Sequence, residues 1–74
     1  MGSDLFAKRL RAYRKLKHMT QGELSQAIGV SVAIIGGLER GTRSPSPVNL
    51  QRIASVLQVS MSDLGLEEKG GERS

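Results

Sequence analysis

Apolar residues recur at spacings of three and four along most of the chain, and apolar–polar alternation never runs for more than a few residues. That periodicity belongs to helices with one buried stripe, and one Phe, one Tyr and no Trp leave little with which to build a sheet. The first helix is expected to begin near Asp4, whose side chain can cap free amides, and to bury one stripe of Leu5, Phe6, Leu10, Tyr13 and Leu16. His18-Met19 interrupts the pattern. Thr20-Gln-Gly-Glu23 then has the spacing of a capping box, predicting a second helix over Leu24, Ala27 and Ile28 that closes at Gly29. Ser31 is placed to cap a third short helix from Val32 to about Arg40, closed by Gly41.

The few residues between helices two and three include a glycine, as a helix-turn-helix requires to set two short helices at a steep angle. Ser25 and Gly29 are small where those helices are expected to cross closely, and Ile35 and Leu38 should face inward onto Leu24, Ile28 and Leu10. Residues 42–47 cannot continue a helix, because Pro45 and Pro47 lack amide donors. Ser46-Pro47 reads as a cap and a first-turn proline, opening a fourth helix with Leu50, Ile53, Ala54 and Leu57 inside. Ser60-Met-Ser-Asp63 is a second capping box, expected to start a fifth helical segment of a turn or two. Residues 67–74 are polar and glycine-rich and read as a disordered tail, leaving one domain over residues 1–66.

With 74 residues the chain has no room for a two-domain enzyme with a deep cleft. No cysteine means no disulfide and no thiolate metal site, which favours a cytoplasmic protein, and the lone His18 has no metal partners and reads as a turn residue. No histidine pairs with a nucleophile, no carboxylates cluster and no glycine loop precedes a lysine. Neither catalysis nor a cofactor is therefore expected. No apolar run approaches the roughly 20 residues that cross a bilayer, so no membrane partner is expected. The net charge of +4 favours an anionic partner, nucleic acid first, and residues 1–52 hold nine of the eleven Lys/Arg. Lys8, Arg9, Arg11, Lys15 and Lys17 line the polar face of the first helix, either as a solvated surface or as a phosphate or lipid contact.

Leu10-x-x-x-Arg14, Thr20-Gln21-x-Glu23-Leu24-Ser25, Gly29-Val30-Ser31, Ile35-x-x-Leu38-Glu39-Arg40-Gly41, Pro45 and Leu50-x-x-Ile53-Ala54-x-x-Leu57-x-Val59-Ser60 together resemble the Cro and phage-repressor-like (XRE-type) helix-turn-helix family. The resemblance spans about residues 5–66 and implies an all-α, five-helix, lambda-repressor-like domain. It implies a sequence-specific transcriptional regulator, a repressor or autoregulator, that binds a palindromic operator in double-stranded DNA as a homodimer. It also implies an ion pair between Arg14 and Glu39, and phosphate contacts from Thr20, Gln21, Arg40, Thr42, Arg43 and Ser44. Gln21 suits that role independently, at a helix N-terminus whose amides and dipole favour an anion.

Base-facing positions are expected at Ser31, Val32, Ala33, Gly36, Gly37 and Arg40, the last five sharing the outward face of the third helix. Almost none of these can hydrogen-bond, and two glycines weaken a helix by roughly 1 kcal/mol apiece. Three readings stay open. The bare face sinks deep into the groove, with Val32 and Ala33 on thymine methyls and DNA shape supplying specificity. Alternatively, it docks a partner protein, as an antitoxin-like or co-repressor module would. In the third, Ser31, Arg40 and Arg43 read bases around a neutral centre. Val56, Val59, Met61, Leu64 and Leu66 exceed what a small core needs and are expected to form a symmetric dimer patch, unless they only close the monomer core.

Overall fold

The computed structural model describes residues 2–66, and the expected tail lies outside the described residues. Four helices follow in chain order: α1 (Gly2–Leu16), α2 (Gln21–Ile28), α3 (Val32–Arg40) and α4 (Pro47–Leu57). Helix α3 packs against α1 and α2, and α4 packs against α2. Their inward faces enclose Phe6 and Leu10 from α1, Leu24 and Ile28 from α2, Ile35 and Leu38 from α3, and Ile53 and Leu57 from α4.

Helix α1 starts two residues before the expected position, so Asp4 lies within the first turn instead of capping it. Its negative charge there still complements the helix dipole. The buried stripe is Phe6, Ala7, Leu10 and Arg14, with Tyr13 half-buried, whereas Leu5 is 41% and Leu16 68% exposed. Leu5 and Leu16 share an azimuth about 120° round the helix from Leu10. Apolar identity alone therefore placed them wrongly on the inner face. The chain leaves α1 through His18, whose φ of 60° confirms it as a turn residue in left-handed geometry.

The first capping box forms as its spacing predicts. The Glu23 amide donates to Thr20 Oγ1 (3.0 Å) and the Thr20 amide to Glu23 Oε1 (2.8 Å). At the other end of α2, the amides of Gly29 and Val30 both donate to the Ser25 carbonyl. Gly29 has φ 81°, and a side chain there would meet only the Arg52 guanidinium at 3.6 Å. Glycine is thus required for backbone conformation, not for the close helix crossing expected from the sequence. Ser25 is buried, and its hydroxyl donates back to the Gly22 carbonyl. Ser31 occupies the N-cap of α3 with extended backbone, yet its side chain makes no capping bond.

The expected fifth helix is a turn over residues 61–65. Its capping box is complete, with the Asp63 amide on Ser60 Oγ and the Ser60 amide on Asp63 Oδ2. Gly65 then takes φ 82° and ends the winding after one turn. The all-α reading holds, with four helices among the described residues in place of the expected five. That turn drives Leu64 into the core, where it is fully buried, so Leu64 belongs to the monomer interior and not to a dimer patch. Arg9 Nη1 donates to the Asp63 carbonyl at 2.9 Å and ties the turn back to α1.

Candidate nucleic-acid interface

Helix α3 is held from behind by a polar clamp. Arg14 of α1 and Glu39 of α3 form a two-pronged ion pair, Nε to Oε2 at 2.5 Å and Nη2 to Oε1 at 3.0 Å. Their side chains are only 10% and 4% exposed. Arg14 Nη1 also donates to the Met19 carbonyl at 2.8 Å, so one guanidinium joins α1, the α1–α2 turn and α3. Gln21 Nε2 donates to Glu39 Oε1 at 3.0 Å and brings the N-terminus of α2 into the same network. Burial pushes the Glu39 carboxyl up, but hydrogen bonds from Arg14 and Gln21 and the charges of Arg14 and Arg11 outweigh it and hold the group below the usual carboxylate range. The bond to Glu39 likewise raises Arg14 above its ordinary value against the opposing effect of burial.

The outward face of α3 has two different halves. Toward its N-terminus, Ser31, Val32 and Ala33 are exposed, as the helical spacing requires. Toward its C-terminus, Gly36 and Gly37 are buried, which corrects the expectation of a bare glycine surface. Arg40 folds back over Gly36, its Nη1 3.1 Å from the point a Cβ would occupy, with Gln21 Oε1 at 3.9 Å. Arg43 lies over Gly37, its Cβ 3.3 Å and its Nε 3.6 Å from the corresponding point. The loop is drawn there because Thr42 donates twice to the Gly37 carbonyl, from its amide at 3.0 Å and its hydroxyl at 3.3 Å. The glycines point outward as the spacing predicts, but their own neighbours roof them.

The residues expected at phosphates fall around this face. Thr20 and Gln21 stand at the N-terminus of α2, and Arg40, Thr42, Arg43 and Ser44 follow the C-terminal half of α3. The Gln21 side chain is joined to Glu39 and that of Thr42 to Gly37. Among the described residues, neither Arg40 nor Arg43 has a carboxylate partner. Of the first-helix cations that the sequence left open between a solvated surface and a phosphate or lipid contact, Arg11 lines a cleft of about 210 Å³ with Arg14, Gln21, Gly36, Glu39 and Arg40, three residues before Arg14 on the same helix face. Sequence reasoning missed one residue. Arg52 donates to the Ile28 carbonyl at 3.1 Å and pins α4 to the end of α2, a contact that no local pattern announces.

Of the residues expected in a dimer patch, Val56, Val59, Met61 and Leu66 are partly buried, and Val56 borders a groove between α2 and α4 of about 430 Å³. No described helix is long and apolar enough to cross a membrane.

Residues 10–64 match the helix-turn-helix family. An uncharacterized HTH-type transcriptional regulator of Bacillus subtilis, YazB, is 44% identical over 69 residues, which cover 93% of this chain and all of that protein. The HTH-type transcriptional regulator SinR of the same organism is 33% identical over 66 residues, 88% of this chain and 59% of SinR. Among solved structures, the restriction-modification controller protein C.AhdI of Aeromonas hydrophila superposes with a TM-score of 0.77 at 34% identity, over 82% of this chain and 92% of that one. The clp gene regulator ClgR of Corynebacterium glutamicum gives a TM-score of 0.82 at 30% identity, over 86% and 68%.

Proposed function

The chain belongs to the Cro/phage-repressor (XRE) type of helix-turn-helix transcriptional regulators, and from that membership we propose that it represses transcription as a homodimer on a palindromic operator, in the manner of an autoregulator. Helix α3 enters the major groove, which at about 12 Å accepts one helix. Two subunits place their α3 helices one helical turn of DNA apart, about 34 Å. Ser31, Val32, Ala33 and Arg40 meet base edges. Arg43 joins them from the loop that Thr42 braces, and Thr20, Gln21 and Ser44 bracket the helix on the phosphates.

The observation that carries this reading is the pairing of a rigid mount with unspent charge. The Arg14–Glu39–Gln21 network fixes the angle of α3 from inside, while Arg40 and Arg43 lie on its outer side with no carboxylate partner among the described residues. Cationic groups brought against the duplex displace its condensed counterions, and the logarithm of the binding constant falls by about 0.9 per charge for each unit of log salt. Two arginines per subunit bring four charges per dimer and a slope of about −3.6 or steeper. Gel mobility shifts of duplex DNA over a salt series measure it. A slope near zero, or no shift at low salt, rejects the proposal in favour of a module that docks another protein.

A further inference from the structure

We infer that Gly36 and Gly37 set the sequence preference of this regulator, by seating Arg40 and Arg43 flat against the outer face of α3 so that their guanidinium groups meet guanine edges in the major groove. The inference rests on the DNA-binding reading proposed above.

A helical side chain points back over the preceding turn. Arg40 does so far enough for Nη1 to reach Gly36, one turn or about 5.4 Å nearer the middle of the helix. A charge that the sequence places at the C-terminal edge, beside the phosphates, therefore sits over the middle of the outward face. Arg43 arrives from the loop and lies over the neighbouring residue, Gly37. Both seats are tight against a Cβ. At Gly36 a methyl group would push the tip of Arg40 outward by a few tenths of an ångström, and at Gly37 it would press by a similar amount on the Cβ of Arg43, next to the backbone of the loop.

An α-helix with its side chains measures about 10–12 Å across, close to the width of the major groove. Long side chains standing upright on the outward face would hold the helix off the base pairs. Laid along bare backbone, they remain within its envelope and travel with it to the groove floor. The acceptors there that match a planar guanidinium fork are N7 and O6 of guanine. The N-terminal half, Val32 and Ala33, has no hydrogen-bonding side chain and suits thymine methyls. The half-site implied has a thymine-bearing part under the start of α3 and guanine under its second half.

The test selects duplexes from a random pool with the unmodified protein, then measures binding to the winner with each guanine replaced by an analogue carrying carbon in place of N7. The same measurement follows for Gly36→Ala and Arg40→Lys, with thermal melting to confirm folding. The expected results are enrichment of guanine in the half-site, a loss of about tenfold or more from the analogue at one or two positions, and loss of that discrimination in both variants. Gly36→Ala should melt no lower than the parent while discriminating less. If no duplex is enriched over the random pool, the DNA-binding reading falls and takes this inference with it. If a duplex is enriched but the analogue binds equally well, or Gly36→Ala and Arg40→Lys both keep the full preference, the inference is overturned and DNA binding stands. Should Gly36→Ala fail to fold, Arg40→Lys at its exposed position decides alone.

Discussion

Arg14 and Glu39 stand 25 residues apart in the chain and converge because α1 and α3 pack face to face. Each is nearly sealed from water, so removing one leaves the other as an unpaired charge in a poor solvent. Breaking such a pair costs about 3 kcal/mol or more. At roughly 4 °C or more per kcal/mol for a domain of this size, Glu39→Ala should lower the melting temperature by about 12 °C; a drop below 1 °C would show that the pair does no structural work. The acid response follows from the same residue. Because Glu39 is held below its ordinary value when folded, its contribution is complete above the unfolded carboxylate value of about 4.3 and is lost as pH falls through the lower folded value. Melting temperatures measured from pH 7 down to pH 2 should fall more steeply in the parent than in Glu39→Gln, which has no charge to lose at that position.

The helix starts make a matched comparison between elements. Thr20 opens α2 with a reciprocal pair of bonds, whereas Ser31 opens α3 with none. Thr20→Ala should cost about 1 kcal/mol, and Ser31→Ala only a few tenths, read by urea unfolding of the two variants. Equal losses would mean that the Ser31 hydroxyl caps α3 after all. The same two helices show what the sequence makes legible. Capping boxes, closing glycines and the Ser46-Pro47 start are rules of neighbours, and they located α2, α3 and α4 to within a residue or so. Length is harder to read. Ser60 to Asp63 announces a beginning, and only the left-handed Gly65 says that the segment stops after a single turn. Three-dimensional roofing is harder still, because the burial of Gly36 and Gly37 depends on how Arg40 and the Thr42–Arg43 loop fold back, and an azimuth on a helix wheel carries no such information.

At the scale of the whole molecule, the proposed homodimer has to place two α3 helices on one face of a duplex, and the partner surface must lie away from the arginines. With Leu64 spent on the core, that surface reduces to the partly buried Val56, Val59, Met61 and Leu66, of which Val56 borders the groove between α2 and α4. A single short helix with few base contacts binds weakly, and joining two makes the second contact intramolecular, raising affinity by about 10²-fold or more when the spacing fits. Sedimentation at increasing micromolar concentration should therefore show mass rising from 8.0 kDa toward twice that value. Met61→Glu puts an unpaired charge at the rim of the patch. It should hold the protein at 8.0 kDa and remove most of the advantage of a full palindrome, while binding to an isolated half-site and the melting temperature stay close to those of the parent. A parent that sediments as a monomer at every concentration, yet binds palindrome and half-site alike, would remove the dimer from the proposal. The arginine-bearing face of α3 would then be the complete reading unit.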